Sequence, residues 1–312
     1  MFLDTSQSIA RPVQFAPLEP APPVEAAPAF GVDSEYGRLK SVLLADPRHL
    51  ALLPCNSVSR QAQREGRSLS LQRAIHQHAT LITALRDEDV QIVQAPADPG
   101  LPDLAFTRDT SLMTPWGLLG LRPGAAHRQR EVEVMLDAAK AAGVPVLGRI
   151  EKGRIEGGDV AMLRPGLVVI GVTGERTDDA GAAALSAIFR AKGWKVLIHH
   201  FDAHFLHLDT LLCLADRSLA MACTDVLDDR LLERLGELGI DLLPVRYKEA
   251  RRLGCNLLAL GNKRVLTAGT CSRLDAALAM RGYRSIAVDL SEFALCGGGV
   301  HCLTMPLARA PG

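Results

Sequence analysis

The feature that most constrains what this chain can fold into is a repeat. From residue 40 onward one order of elements recurs five times: an apolar strand-like run, a turn, often a second run, an amphipathic helical stretch and a closing strand-like run. The first unit has Lys40–Ala45 as strand, a helix over about Leu71–Arg86, and Val90–Val93 as strand. The second is a hairpin from Ser111 to Leu121, a helix near Arg130–Ala142 and a strand Val144–Leu147. The third has strands Val160–Leu163 and Leu167–Val172, a helix near Asp178–Lys192 and a strand Trp194–Ile198. The fourth has Thr210–Leu214, Ser218–Cys223, a helix near Asp228–Leu238 and Ile240–Val245. The fifth has Asn256–Leu260, Arg264–Ala268, a helix near Ser272–Met280 and Ser285–Asp289. Asp178, Asp228 and Ser272 stand where N-caps belong, and Gly143, Gly193, Gly239 and Gly282 where C-caps belong. Runs rich in Val, Ile and Leu suit strands covered on both faces. The expected fold is α/β, with five ββαβ units around a pseudo-symmetry axis.

Residues able to do chemistry fall at the junctions between units. Asp109, Glu156, His207, Asn256 and Cys302 are separated by 47, 51, 49 and 46 residues, close to the repeat length. Equivalent positions of a circular repeat meet near its axis, so two carboxylates, a histidine and a cysteine distant in sequence are expected in one central site. Cys302 follows the glycine run Gly297–Gly299, which lets a ligand approach the backbone; that segment alone leaves a nucleophile and a buried structural cysteine equally open. His207 and Asp209 read as the opening of a strand, whose period of two puts them on one face, as an acid/base beside a carboxylate or as a structural hydrogen bond. Asp109 and Glu156–Asp159 precede strands, where acidic residues commonly serve turns; their recurrence at junctions gives them weight. His199, His200 and His204 with Asp202 do not make a metal motif, since adjacent strand residues face opposite ways, and no metal is expected.

Composition narrows the partners. Basic and acidic residues number 35 each, for a net charge of zero, which argues against nucleic acid or a polybasic membrane contact. No run approaches the ~18 apolar residues of a membrane span. Residues 1–33 are rich in proline and alanine and read as a disordered tail, leaving 34–312 as a single catalytic domain. Seven scattered cysteines without a C-x-x-C pattern suggest a reducing, cytoplasmic setting. Asn56–Ser70, polar and glycine-containing, reads as a loop over the pocket.

The phrases FTRD (ending at Asp109), EGGDV (from Glu156), GERT (holding Arg176), FLHLDT (holding His207) and GGGVHCLT (holding Cys302), in that order and spacing, resemble the guanidino-group-modifying, or pentein, superfamily. That superfamily includes arginine deiminases, dimethylarginine dimethylaminohydrolases, agmatine deiminases and amidinotransferases. The resemblance runs from about Glu35 to Arg309 and implies a five-bladed α/β propeller. It implies a cofactor-free hydrolase in which Cys302 attacks the guanidinium carbon, His207 is the acid and then the base, and Glu156 orients His207. Asp109 and Asp209 are implied to bind the guanidinium, Arg128 and Arg176 the substrate carboxylate, with Asp159 and Asn256 in support. The implied ligand is a small guanidino amino acid, and a homo-oligomer stays open.

Within the superfamily the pattern departs in two ways. Arginine deiminases usually carry a helical insertion near the N-terminus, whereas only one helix is expected here between Lys40 and Phe106. Dimethylarginine enzymes commonly have lysine where this chain has Asp209. Free arginine is therefore the expected substrate, with dimethylarginine hydrolysis and amidino transfer to an amine as alternatives, and a non-catalytic pentein binding module as the alternative of another class.

Overall fold

The structure, a computed structural model, describes residues 30–311. It contains five three-stranded sheets, one for each sequence repeat. The first unit holds β1 (Leu39–Ala45), α1 (Ser57–Arg64), α2 (Leu71–Asp87) and β2 (Gln91–Ala95); the second holds β3 (Ser111–Thr114), β4 (Gly117–Gly120), α3 (Glu131–Ala141) and β5 (Val146–Arg149). The third holds β6 (Val160–Arg164), β7 (Leu167–Val172), α4 (Asp179–Ala191) and β8 (Lys195–His200). The fourth holds β9 (Leu212–Asp216), β10 (Leu219–Ala222), α5 (Asp229–Glu237), β11 (Asp241–Pro244) and the turn-like α6 (Tyr247–Ala250). The fifth holds β12 (Leu258–Gly261), β13 (Arg264–Thr267), α7 (Ser272–Met280), β14 (Arg284–Ala287) and α8 (Ser291–Leu295), and β15 (Met305–Arg309) follows.

In each sheet the central strand pairs antiparallel with one neighbour and parallel, across a helix, with the other. The antiparallel edges β3, β6, β9, β12 and β15 are almost wholly buried, while the parallel edges β2, β5, β8, β11 and β14 face outward. The buried edges therefore line the axis and the helices form the rim, the arrangement of a five-bladed α/β propeller. The first sheet differs in origin, because its inner strand β15 pairs with β1 from the far end of the fold. This pairing closes the ring.

Helix caps follow the expectation at Asp178 and Asp228, whose side chains accept from Gly181 N and Leu231 N. Ser272 does not cap α7; the cap position is Cys271, without a side-chain bond. The four C-terminal glycines take φ between 74° and 79°, the left-handed region where glycine carries no Cβ penalty.

Three expectations need correction. Phe30–Asp33 belong to the fold rather than to a tail: Gly31 N donates to Leu307 O at 2.9 Å and Val32 is buried. The rest of the expected tail, residues 1–29, lies outside the described residues. Two helices, not one, lie between Lys40 and Phe106. Asn56–Ser70 is not a plain loop, since α1 occupies its centre with Asn56 as N-cap, accepting from Val58 N and Ser59 N. All seven cysteines are unbridged. Among the described residues no helix is long and apolar enough to cross a membrane.

Candidate active site

Each junction residue sits just before a buried edge strand: Asp109 before β3, Glu156 before β6, His207 before β9, Asn256 before β12 and Cys302 before β15. The repeat thus delivers all five to the same end of the axis. Hydrogen bonds join each junction to the next. Arg108 N donates to Cys302 O (3.1 Å) and Gly157 N to Asp109 O (3.1 Å). Leu208 N donates to Asp159 Oδ1 (2.9 Å), Asn256 Nδ2 to Asp209 O (3.3 Å), and His301 N to Asn256 Oδ1 (3.0 Å). The circuit is closed.

Two glycines make the convergence possible. A Cβ on Gly158 would lie 2.8 Å from the His207 ring, and one on Gly298 would lie 2.4 Å from the Phe106 ring and 3.2 Å from Cys302 Cβ. Both are closer than packed carbon atoms approach.

His207 and Asp209 do not share a strand face as expected. Leu208–Thr210 forms a single 3-10 turn and β9 begins only at Leu212, so the period of two does not apply. His207 turns instead to Glu156, with Nε2 2.7 Å from Oε2, and its Nδ1 lies 3.5 Å from Asp109 Oδ1. Asp209 Oδ2 accepts from Cys302 Sγ (3.3 Å) and pairs with His301 Nδ1 (2.9 Å). Asn256 Nδ2 reaches Cys302 Sγ at 3.2 Å. Asp159 ties the third junction to the fourth, accepting from Thr177 Oγ1 at 2.6 Å and from Leu208 N.

Electrostatics follow from burial and pairing. Burial disfavours the charged form of His207, but Asp109, the Glu156 hydrogen bond and Asp159 outweigh it and raise its pKa to about 10. Glu156 is buried too, yet His207 and Arg176 hold its carboxyl well below the usual range. Burial, then the Asp209 and Asp109 charges, pushes the Cys302 thiol well above its ordinary value. For Asp209 burial is outweighed by His301, so its carboxyl is held down. The resting site therefore pairs an imidazolium with a protonated thiol.

The buried atoms Asp109 Oδ1, Asp209 Oδ1 and His207 Nδ1 have no hydrogen-bond partner among the described residues. Asp109 Oδ1 and His207 Nδ1 face each other at 3.5 Å, so two carboxylate oxygens and a ring nitrogen with hydrogen-bonding capacity to spare stand around the Cys302 thiol. A planar cation with only N–H donors complements the two carboxylate oxygens. A metal ion fits less well. Asp109, Glu156 and His207 offer ligand atoms within 4.8 Å of one another, but Glu156 already binds His207, Gly124 N and Arg176, and Asp109 Oδ2 binds Arg128. Of the histidines near Asp202, His199 is buried and His200 exposed, on opposite faces of β8.

Arg128 and Arg176 both line the cavity at Cys302, but differently. Arg128 is buried and its Nε and Nη2 hold Glu131, Nη2 also holds Phe106 O, and Nη1 holds Asp109. Arg176 makes two contacts, to Glu156 Oε1 (3.5 Å) and Cys55 O (2.7 Å). The cavity itself is small, about 20 Å³, room for about one water.

The structure adds residues that sequence reasoning missed. Asp103 and Cys55 also line the cavity, as does Asn56, the first residue of the segment expected over the pocket. Behind Asp209, His301 bridges to Glu35, with Nε2 3.4 Å from Oε2, and Glu35 meets the fully buried Arg108 at 3.5 Å. Although burial opposes its charge, Glu35 is brought down to about 2 by Arg108 and His301. The histidine beside Cys302 in the sequence was the available signal. Losing a hydrogen bond to a charged group costs about 1.5–3 kcal/mol, so His301→Leu is expected to lower kcat/KM for a guanidinium substrate about tenfold or more at mildly acidic pH. Asp209 then ionises only at higher pH, and a kcat/KM profile should show activity returning as pH rises.

Comparison with known proteins follows the same line. The family model described as eukaryotic N,N dimethylarginine dimethylhydrolase matches residues 49–309. The chain is 28% identical over 236 residues to an N(G),N(G)-dimethylarginine dimethylaminohydrolase of Pseudomonas aeruginosa, covering 75% of this chain and 88% of the relative. It is 29% identical over 253 residues to an arginine deiminase of Mycobacterium marinum, covering 68% of this chain and 61% of that enzyme. A solved structure of dimethylarginine dimethylaminohydrolase from Pseudomonas aeruginosa, a mutant complexed with citrulline, superposes with a TM-score of 0.71 at 25% identity, over 86% of this chain and 99% of that one.

Proposed function

Since the chain belongs to the N,N-dimethylarginine dimethylhydrolase family and is a guanidino-group hydrolase of the dimethylarginine dimethylaminohydrolase and arginine deiminase type, we propose that it hydrolyses free arginine, releasing ammonia and a citrulline-like ureido product. The observation that carries this reading is the pair of buried carboxylate oxygens that make no hydrogen bond among the described residues, Asp109 Oδ1 and Asp209 Oδ1, beside the Cys302 thiol. Each accepts an N–H of an unsubstituted guanidinium. Dimethylation of one terminal nitrogen removes both of its N–H donors, so a carboxylate oxygen facing that nitrogen loses its bond.

Mechanistically, burial and then the Asp209 and Asp109 charges hold the thiol protonated; the bound cation offsets the two carboxylates, so Cys302 loses its proton to solvent as the substrate docks and Asn256 Nδ2 steadies the thiolate. The thiolate attacks the guanidinium carbon. His207, already an imidazolium, protonates the leaving amine, and the C–N bond breaks to give a covalent thiouronium. Neutral His207 then takes a proton from water, whose oxygen attacks the same carbon; collapse breaks the C–S bond to return the thiolate, the hydroxyl proton of the ureido product passes to the released amine or solvent, and His207 is left as imidazolium. Glu156 holds His207 by Nε2 throughout. Arg176, with fewer protein contacts, anchors the substrate carboxylate, and Arg128 holds Asp109 in place while facing the same cavity. The substrate is larger than the cavity, so the wall formed by Cys55 and Asn56 moves for entry.

A second reading, dimethylarginine, is favoured by the family match itself, and amidino transfer uses the same residues with an amine in place of water. Mass spectrometry of products from arginine, dimethylarginine, agmatine and guanidinoacetate separates them. Ammonia and citrulline from arginine, without stimulation by glycine, is the expected result. Dimethylamine from dimethylarginine with no turnover of arginine would replace it, and turnover only with an amine acceptor would establish transfer.

A further inference from the structure

A second cleft is lined by Val58, Gln61, Ala62 and Glu65 of α1, whose N-cap Asn56 lines the cavity at Cys302. Its volume is about 620 Å³, in the range of small-ligand sites. Arg67, Lys248, Arg251 and Arg252 line it. None has a carboxylate partner among the described residues, whereas Arg73, Arg264 and Arg273 elsewhere on the surface each have one within 3.3 Å. Arg251 contacts only neutral oxygens, Ser57 Oγ at 3.2 Å and Gln61 Oε1 at 3.4 Å. The lining carboxylate Glu65 is occupied by Gln61 Nε2 at 2.7 Å. In a chain of zero net charge, this is a local concentration of unpaired cations in a concave site.

The cleft and the cavity share a wall. Asn56, the N-cap of α1, donates from Nδ2 to Cys296 O at 2.8 Å, and Cys55 O accepts from Arg176. Ser57 Oγ donates to His204 O at 2.8 Å on the cleft side. α1 therefore carries cavity residues at its start and cleft residues along its length, while Lys248 and Arg251 approach from α6 and just beyond it.

We propose that this cleft binds a compact phosphate-bearing polyanion, and that the bound anion ties α1 to α6 and slows access to Cys302. Guanidinium groups grip phosphate oxygens in pairs, and a cleft of about 620 Å³ has the volume for more than one phosphoryl group. Access is the step affected because the cavity at Cys302 admits a substrate only when its wall moves. The binding claim stands apart from the identity of the substrate; the effect on access rests on Cys302 being the reactive thiol.

Inorganic pyrophosphate titrated into the full chain at low ionic strength, followed by calorimetry, tests the binding. Saturable one-to-one binding is expected, weakened about tenfold or more in the Lys248→Glu/Arg252→Glu double variant. Both side chains are exposed, and an unchanged Tm for the variant shows that the fold is kept. A nucleoside triphosphate binding more tightly than pyrophosphate identifies an ester as ligand, and equal binding identifies the free anion. No saturable heat, equal binding by the variant, or binding of citrate without phosphates overturns the site. Alkylation of Cys302 by chloroacetamidine, read by mass spectrometry without any substrate, tests access. Pyrophosphate is expected to slow it about threefold or more in the native chain and not in the double variant. Equal slowing by potassium chloride at matched ionic strength, or none, overturns the coupling.

Discussion

Cys302→Ser is expected to reduce kcat for guanidine hydrolysis by about three orders of magnitude or more while leaving the far-UV circular dichroism spectrum and Tm close to those of the native chain. The change is nearly isosteric, so the contacts from Asn256 Nδ2 and to Asp209 Oδ2 can be kept. What is lost is nucleophilicity. A guanidinium carbon is a poor electrophile because its charge is delocalised, and a hydroxyl near two carboxylates is far harder to ionise than a thiol. Chloroacetamidine, which carries an amidinium cation, should label the native protein once, at Cys302, and leave the variant unlabelled. Neutral iodoacetamide should react far more slowly at neutral pH, because burial and then the Asp209 and Asp109 charges hold the thiol protonated, and a neutral reagent brings no cation to offset the carboxylates. Undiminished turnover in the serine variant would refute the nucleophile.

His207→Gln should lower kcat by about 10²–10⁴-fold with a smaller change in KM. Glutamine can still reach Glu156 but cannot give up and recover a proton. The leaving amine then departs unprotonated and the attacking water keeps its proton, so a covalent adduct should persist long enough to be seen by mass spectrometry with activated substrates. The pH dependence carries the same information with a definite sign. With His207 raised to about 10 by Asp109, Glu156 and Asp159 against the opposing effect of burial, the imidazolium is retained through neutral pH and kcat/KM falls only as pH rises through that value. Glu156→Gln removes one of the anions that hold the proton, so the alkaline fall should move to lower pH as well as the overall rate dropping. An alkaline limb that stays in place in Glu156→Gln would detach it from His207.

Much of the architecture was legible because it is locally encoded and repeated. The third unit shows why: Val160–Leu163 and Leu167–Val172 are continuous buried runs, and α4 buries Ala182, Leu185 and Phe189 at helical spacing. What escaped was non-local or polar. β15 has its partner β1 at the other end of the fold, and no pattern within a few residues of Met305 announces that pairing. α1 buries only Ser59 and Ala62, so it shows almost no apolar stripe. At the site, junction spacing found Asp109, Glu156, His207, Asn256 and Cys302 but not their partnerships. His207 and Asp209 separate because a 3-10 turn stands where a strand was expected. Glu35, His301 and Arg108 form a buried ionic group whose members are individually unremarkable in sequence.

The way the ring closes also bears on when the protein becomes reactive. The thiol and the strand that seats it, β15, come after every other blade in the chain, and synthesis delivers the earlier blades first. Until β15 finds β1 across almost the whole length of the propeller, His207, Glu156 and the carboxylates stand without the Cys302 thiol beside them. Such a distant pairing is slow to form, so assembly of the active centre belongs to the final stage of folding.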